Sequence, residues 1–169
     1  MTKKIGFACK FMNSDQTLSP KILKEIEGQY NSNTTTISWL SRQSRKVAEE
    51  KLWDISLENS KKTYNLVKYV SELPEELRMV RISSDQCPAY THNDWKYFYK
   101  QADVIRMLET QWKKVGDLAR IRGVRLSFHP GQFTVLASDN PDIVNRSIEE
   151  FEYHVDAIRW MGYGRSFQD

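Results

Sequence analysis

Apolar side chains recur at three- and four-residue steps between Arg42 and Val70, at Ala48, Leu52, Ile55, Leu66 and Val70, with Asn59 and Thr63 in the same row. That spacing winds into one long amphipathic helix. It separates two short apolar runs, Lys4 to Cys9 and Arg78 to Ser83, and a helix of this length between two strands is the connection that parallel strands require. The pattern then repeats. A stripe at Phe98, Ala102, Ile105, Leu108, Trp112, Val115 and Ala119 predicts a helix from about Trp95 to Ile121, and Gly123 punctuates it before a third strand, Val124 to His129. Val144, Ile148, Phe151, Val155 and Ile158 mark a last helix, with Asn140 as its N-cap, Pro141 as its first residue and Gly162 as its close. The order β, α, β, α, β, α defines an α/β chain.

Between the first strand and the long helix, residues 13–43 read as a polar loop region with one short helix from Pro20 to Glu27. An excursion of that length from a strand end often carries function. Neither a glycine-rich phosphate loop nor a Walker-type lysine follows the first strand, which argues against a nucleotide-binding doubly wound fold. Residues able to do chemistry instead stand just past the carboxyl ends of several strands, the site face of a β/α barrel. Three strands are too few to close one, so residues 1–169 read as a single partial barrel domain, about half of the whole.

An apolar fraction of 40% supports a folded chain, and no apolar run approaches the roughly 20 residues that cross a bilayer. With no secretory pattern at the N-terminus, the reading is a cytoplasmic protein with no membrane partner and with Cys9 and Cys87 as reduced thiols. A net charge of +3 permits a polyanionic partner without selecting one. Five tryptophans and eight tyrosines supply rings for packing or for stacking on bases.

His129 is the sharpest single residue. In Val124-Arg-Leu-Ser-Phe-His129 the apolar face is Val124, Leu126 and Phe128, so Arg125, Ser127 and His129 point to the other side, and Pro130-Gly131 turns the chain away from the ring. An imidazole held there can offer a nitrogen to a divalent cation, or simply be buried and hydrogen-bonded. His92, in the loop after the second strand, can address the same ion. Asp85 in that loop can ligate, orient an imidazole or cap a turn. Asn59 breaks an apolar face and must find partners, either backbone groups or members of a site. His154, inside the last helix, reads as a packing or surface residue. Two histidines do not make a hydrolytic metal centre, and Asp94, Asp139, Asp142, Glu149 and Glu152 hold no compelling position. Gln132-Phe133 stands on the turn after His129, where an amide can meet base edges and a ring can enter a distorted stack, or where Phe133, Val135 and Leu136 can seal the end of the barrel.

Arg125 to Ser138, reading RLSFHPGQFTVLAS, resembles the most characteristic stretch of the ultraviolet-damage endonuclease family. Asn140-Pro-Asp, Tyr153-His154, Arg81-Ile-Ser-Ser-Asp85 with Pro88 and Thr91-His92, the opening Ile5-Gly-Phe-Ala-Cys9 and Glu58-Asn59 resemble it in order. The resemblance implies a TIM-like barrel related to endonuclease IV and xylose isomerase. It implies an endonuclease of DNA excision repair that uses a divalent metal, commonly manganese, to nick damaged duplex DNA 5′ to ultraviolet photoproducts. It places His92 and His129 on metal ligands, and Gln132 and Phe133 on the pair that probes the duplex, with phenylalanine where the family usually has tyrosine. Phe7 likewise replaces a tyrosine found near the DNA. The family's further histidine, aspartate and glutamate ligands and its catalytic lysine have no counterpart here. The expectation is therefore a truncated product, a barrel completed by self-association or a complementing chain, or a noncatalytic DNA-binding remnant. A sugar-phosphate isomerase on a related barrel is the other enzyme reading.

Overall fold

A computed structural model describes residues 3–15, 17–131 and 134–164. Strands β1 (Phe7–Ala8), β2 (Met79–Ser83) and β3 (Arg125–His129) form one parallel sheet in the order β1-β2-β3. The α-helices are α1 (Pro20–Glu27), α2 (Ile37–Leu40), α3 (Arg45–Ser71), α4 (Ala102–Arg122) and α5 (Pro141–Trp160). The result is a small open β/α sheet, with no further strand beyond β1 or β3 among the described residues.

Local signals set the helix ends. Ser44 caps α3 by accepting from the Val47 N–H, and Asn140 caps α5 by accepting from the Asp142 N–H with Pro141 next in line. Gly123 ends α4 in the left-handed conformation, at φ 63°, where a side chain would be strained. The row foreseen on α3 is buried along its length, and its Leu66, Val67 and Val70 join Val80 and Ile82 of β2 and Leu108, Trp112 and Val115 of α4 in one apolar core. No helix among the described residues is long and apolar enough to cross a membrane, and both cysteines are free thiols.

Three expectations need correction. The first strand was expected over Lys4–Cys9, but regular pairing covers only Phe7–Ala8, and Ile5 before it is 72% exposed. Gly6 lies so close to β2 that a Cβ there would overlap the Met79 carbonyl. The helix expected from Trp95 begins only at Ala102. Extended backbone at Gln101 separates it from a single 3-10 turn at Phe98–Lys100, so Val104 and Met107 are buried in place of Ala102 and Ile105. The stripe that marked the last helix is not its buried face. Ser147, Tyr153, His154 and Ala157 face the molecule, whereas Ile148, Phe151 and Val155 are 44, 39 and 42% exposed. Both faces of α5 are apolar enough to pack, so periodicity alone could not choose between them.

Candidate functional site

The loops that leave β2 and β3 and the first half of α5 enclose a cavity of about 860 Å³ beyond the carboxyl ends of the strands. Ligands of α/β sheets gather on that side. Register brings Ser83 of β2 opposite His129 of β3, so the two loops start from adjoining points. Thr34 and Thr35 close a third side.

Asn59 fixes this arrangement from below. It is fully buried on α3, its Oδ1 accepts from the Asn33 N–H at 2.7 Å, and its Nδ2 donates to the carbonyls of Asn33, Asp85 and Gln86 at 2.8, 3.0 and 3.1 Å. One amide therefore ties the segment before Thr34 to the start of the β2 loop, and its bonds go to backbone groups. Tyr153 does similar work from α5. Its hydroxyl donates to the Ser84 carbonyl at 2.9 Å and accepts from the Cys87 N–H at 3.1 Å. The Tyr99 hydroxyl donates to the Pro88 carbonyl, and the Tyr90 hydroxyl donates to Asp156.

This buried layer should respond to alkali. Burial pushes the Cys87 thiol up to about 12 and lifts the phenols of Tyr90, Tyr99 and Tyr153 above their ordinary range, with the Asp156 hydrogen bond adding to the rise at Tyr90. Raised acid groups hold their protons more tightly when folded. Their contribution is therefore intact below the unfolded values, near 9 for the thiol and 10 for the phenols, and is lost as pH rises beyond them. Each group adds a slope of up to about 1.4 kcal/mol per pH unit. The denaturation midpoint should fall steeply between pH 9.5 and 11, and less steeply in Tyr153→Phe. A flat profile to pH 11 would contradict the burial of these groups.

His92 lines the cavity with its side chain 37% exposed. Its Nδ1 accepts from the Asp94 N–H at 3.3 Å and lies 3.9 Å from the Asp94 carboxylate. Asp94 is thus the carboxylate beside this imidazole, and the separation of two residues was the only signal of it in the sequence. His129 stands half-buried at the tip of β3, and its Nδ1 donates to the Pro130 carbonyl at 2.8 Å. In its neutral form that ring presents the Nε2 lone pair. His129 is not part of the cavity wall, but Gly131 and Thr134 are, joined by a Thr134 N–H bond to the Gly131 carbonyl at 3.0 Å. Gln132 and Phe133 lie outside the described residues. Asp85 lines the cavity and accepts from the Ser83 hydroxyl at 3.1 Å, closing a turn. Phe7 lies away from the cavity, edge-on to Phe11 at 6.4 Å. His154 is a packing residue, 4% exposed, with its ring against Phe128 and its Nδ1 donating to the Glu150 carbonyl.

Glu149, Glu150 and Arg146 also reach the cavity wall, and Lys96 pairs with Glu149 at 3.4 Å. Sequence periodicity placed none of them there, because it did not say which face of α5 turns inward. Among the described residues no group of three or more histidine, cysteine, aspartate or glutamate side chains comes together to hold a metal ion.

The family model described as UV-endonuclease UvdE matches residues 3–168. The chain belongs to the UvdE family. A UV DNA damage endonuclease of Bacillus mycoides strain KBAB4 is 33% identical over 134 residues, covering 78% of this chain and 39% of that protein. One from Bacillus cereus strain ATCC 10987 is 30% identical over 133 residues, covering 79% and 40%. The crystal structure of SacUVDE has the same fold, with a TM-score of 0.66 and 24% identity, covering 95% of this chain and 46% of that one. This UvdE-family chain spans about two-fifths of the length of the curated relatives it matches.

Proposed function

We propose that this chain is one portion of a DNA-repair endonuclease on a TIM-type β/α barrel, which nicks duplex DNA immediately 5′ to ultraviolet photoproducts, with the cytoplasm as its place of action. Membership of the UvdE family carries this reading. The cavity beyond the carboxyl ends of the strands, walled by His92, Asp85 and Arg146, supports it. The required cofactor on this reading is a divalent metal, manganese in the first instance, to which His92 and His129 contribute imidazoles. Two imidazoles are a fraction of the three or more ligands that a catalytic metal centre takes from protein. Among the described residues no group of three such ligands forms, so on this reading the others come from a longer chain, a complementing polypeptide or self-association. Gln132 and Phe133 are assigned to the damaged duplex, as is Phe7 at its edge.

The second reading is a noncatalytic binder of damaged DNA. Affinity for irradiated and unirradiated duplex, measured with Mn2+ and with a chelator, separates the two. The endonuclease reading expects a preference for irradiated duplex that strengthens with Mn2+. It also expects a tenfold or greater loss of Mn2+ affinity in His92→Ala and in His129→Ala. Damage preference indifferent to chelation, and Mn2+ affinity unmoved by either substitution, would favour the binder.

A further inference from the structure

Charge decides what the cavity beyond β2 and β3 can hold. Three carboxylates line it, those of Asp85, Glu149 and Glu150, and among the described residues a single guanidinium faces them, that of Arg146. Glu149 is matched by Lys96 at 3.4 Å, but Asp85 is met by the uncharged Ser83 hydroxyl at 3.1 Å. A polyanion brought against such a wall is repelled unless a fixed cation meets it. Arg146 is held for that meeting. It lies in the second turn of α5, its Nε donates to the Asp142 carbonyl one turn back at 3.2 Å, and it forms no ion pair among the described residues. The bond to its own helix leaves both Nη groups, a fork that grips two oxygens of a phosphate.

The neighbouring residue fixes what stands beside that fork. The Ser147 hydroxyl accepts from the Val135 N–H at 2.8 Å and donates to the Ile143 carbonyl at 2.8 Å. The loop after β3 is thereby tied to α5, and Arg146 shares a wall with Gly131, Thr134 and Val135. In sequence those residues flank the Gln132-Phe133 pair assigned to the duplex. Arg159, near the far end of the same helix, is placed differently, outside the cavity wall and paired with Asp156 at 3.7 Å.

We propose that Arg146 grips a backbone phosphate of the DNA strand that enters this cavity, which makes it a substrate-binding residue. A phosphate contact positions a duplex without reading it. Arg146 therefore adds affinity for damaged and undamaged duplex alike and leaves the choice of lesion to other side chains.

The inference rests on the DNA-endonuclease reading, and the test separates the two. Affinity of the full chain for irradiated and unirradiated duplex of one sequence is measured across a range of KCl concentrations at one low, constant Mn2+ concentration. Each phosphate contact contributes about 0.9 to the slope of log affinity against log salt. Arg146→Ala should make the slope shallower by about that amount and weaken binding to both duplexes in the same proportion. Arg146→Lys should keep the slope but bind more weakly than the parent, because a point charge replaces the fork. Arg146 is exposed and its bond lies within its own helix, so neither substitution threatens the fold. Arg159→Ala removes the same charge from the same helix and should match the parent. An unchanged slope in Arg146→Ala overturns the inference while leaving the DNA reading in place, as does an equal change in Arg159→Ala, which would assign the effect to the general field of α5. A parent chain with no affinity for either duplex overturns the DNA reading and the inference with it.

Discussion

Asn59→Ala should destabilise the chain by about 3–5 kcal/mol, most of a small domain's stability. The substitution empties little volume, so the cost comes from hydrogen bonds. Asn59 is itself fully buried, and it accepts from the Asn33 N–H and donates to the carbonyls of Asn33, Asp85 and Gln86. An orphaned buried backbone group costs about 1–3 kcal/mol, and a carbonyl that keeps another partner costs less. Asn59→Asp is the sharper comparison. It keeps an acceptor for Asn33 but turns a carboxylate toward three carbonyls, so it should be at least as damaging as alanine. Urea denaturation of the three proteins checks the order, and a loss below about 1 kcal/mol in both variants would mean that water can take the place of the amide. Hydrogen exchange should also rise in two places at once, near Asn33 and at residues 85–87.

Gly116→Ala should cost about 2–4 kcal/mol, the reverse of the gain that this change usually brings inside a helix. A Cβ on Gly116 would overlap the carbonyl of Met161, where the chain leaves α5. Flexible side chains can step aside, but this obstacle is backbone, and it is held. Arg120 Nη1 donates to the same carbonyl at 3.1 Å, and the Tyr163 hydroxyl donates to the Gly116 carbonyl at 3.4 Å. The two helices would have to separate at the point where Met161, 1% exposed, is packed. A thermal midpoint equal to or above that of the parent chain would show that α4 and α5 are not in backbone contact.

Features written in neighbouring residues were legible in the sequence. The cap at Asn140 with Pro141, the left-handed stop at Gly123 and the buried row of α3 each depend on a few adjacent positions. The inward face of α5 was not legible, because Ile148, Phe151 and Val155 form a better stripe than Ser147, His154 and Ala157, and only the packing against α4 chooses. Asn59 announced itself as a polar residue on an apolar row. Its partner Asn33 lies 26 residues away in an irregular segment, where no periodicity reports a contact. At the site, His92 and His129 stood out as isolated imidazoles near strand ends. Asp94, Arg146 and Glu149 did not, since their places follow from how a loop turns and how a helix is rotated.

The proposal to be tested most directly is that the loop after β2 and the tip of β3 present His92 and His129 to one cation. Nitrogen NMR of the imidazoles during a titration with Zn2+, a diamagnetic stand-in for Mn2+, reads this directly, because a ring nitrogen changes its resonance on coordination. Joint binding requires that one nitrogen of His92 and Nε2 of His129 shift together and reach saturation at one equivalent, with His154 unmoved. If only one ring responds, or the two saturate at separate equivalents, this chain does not carry the shared metal position.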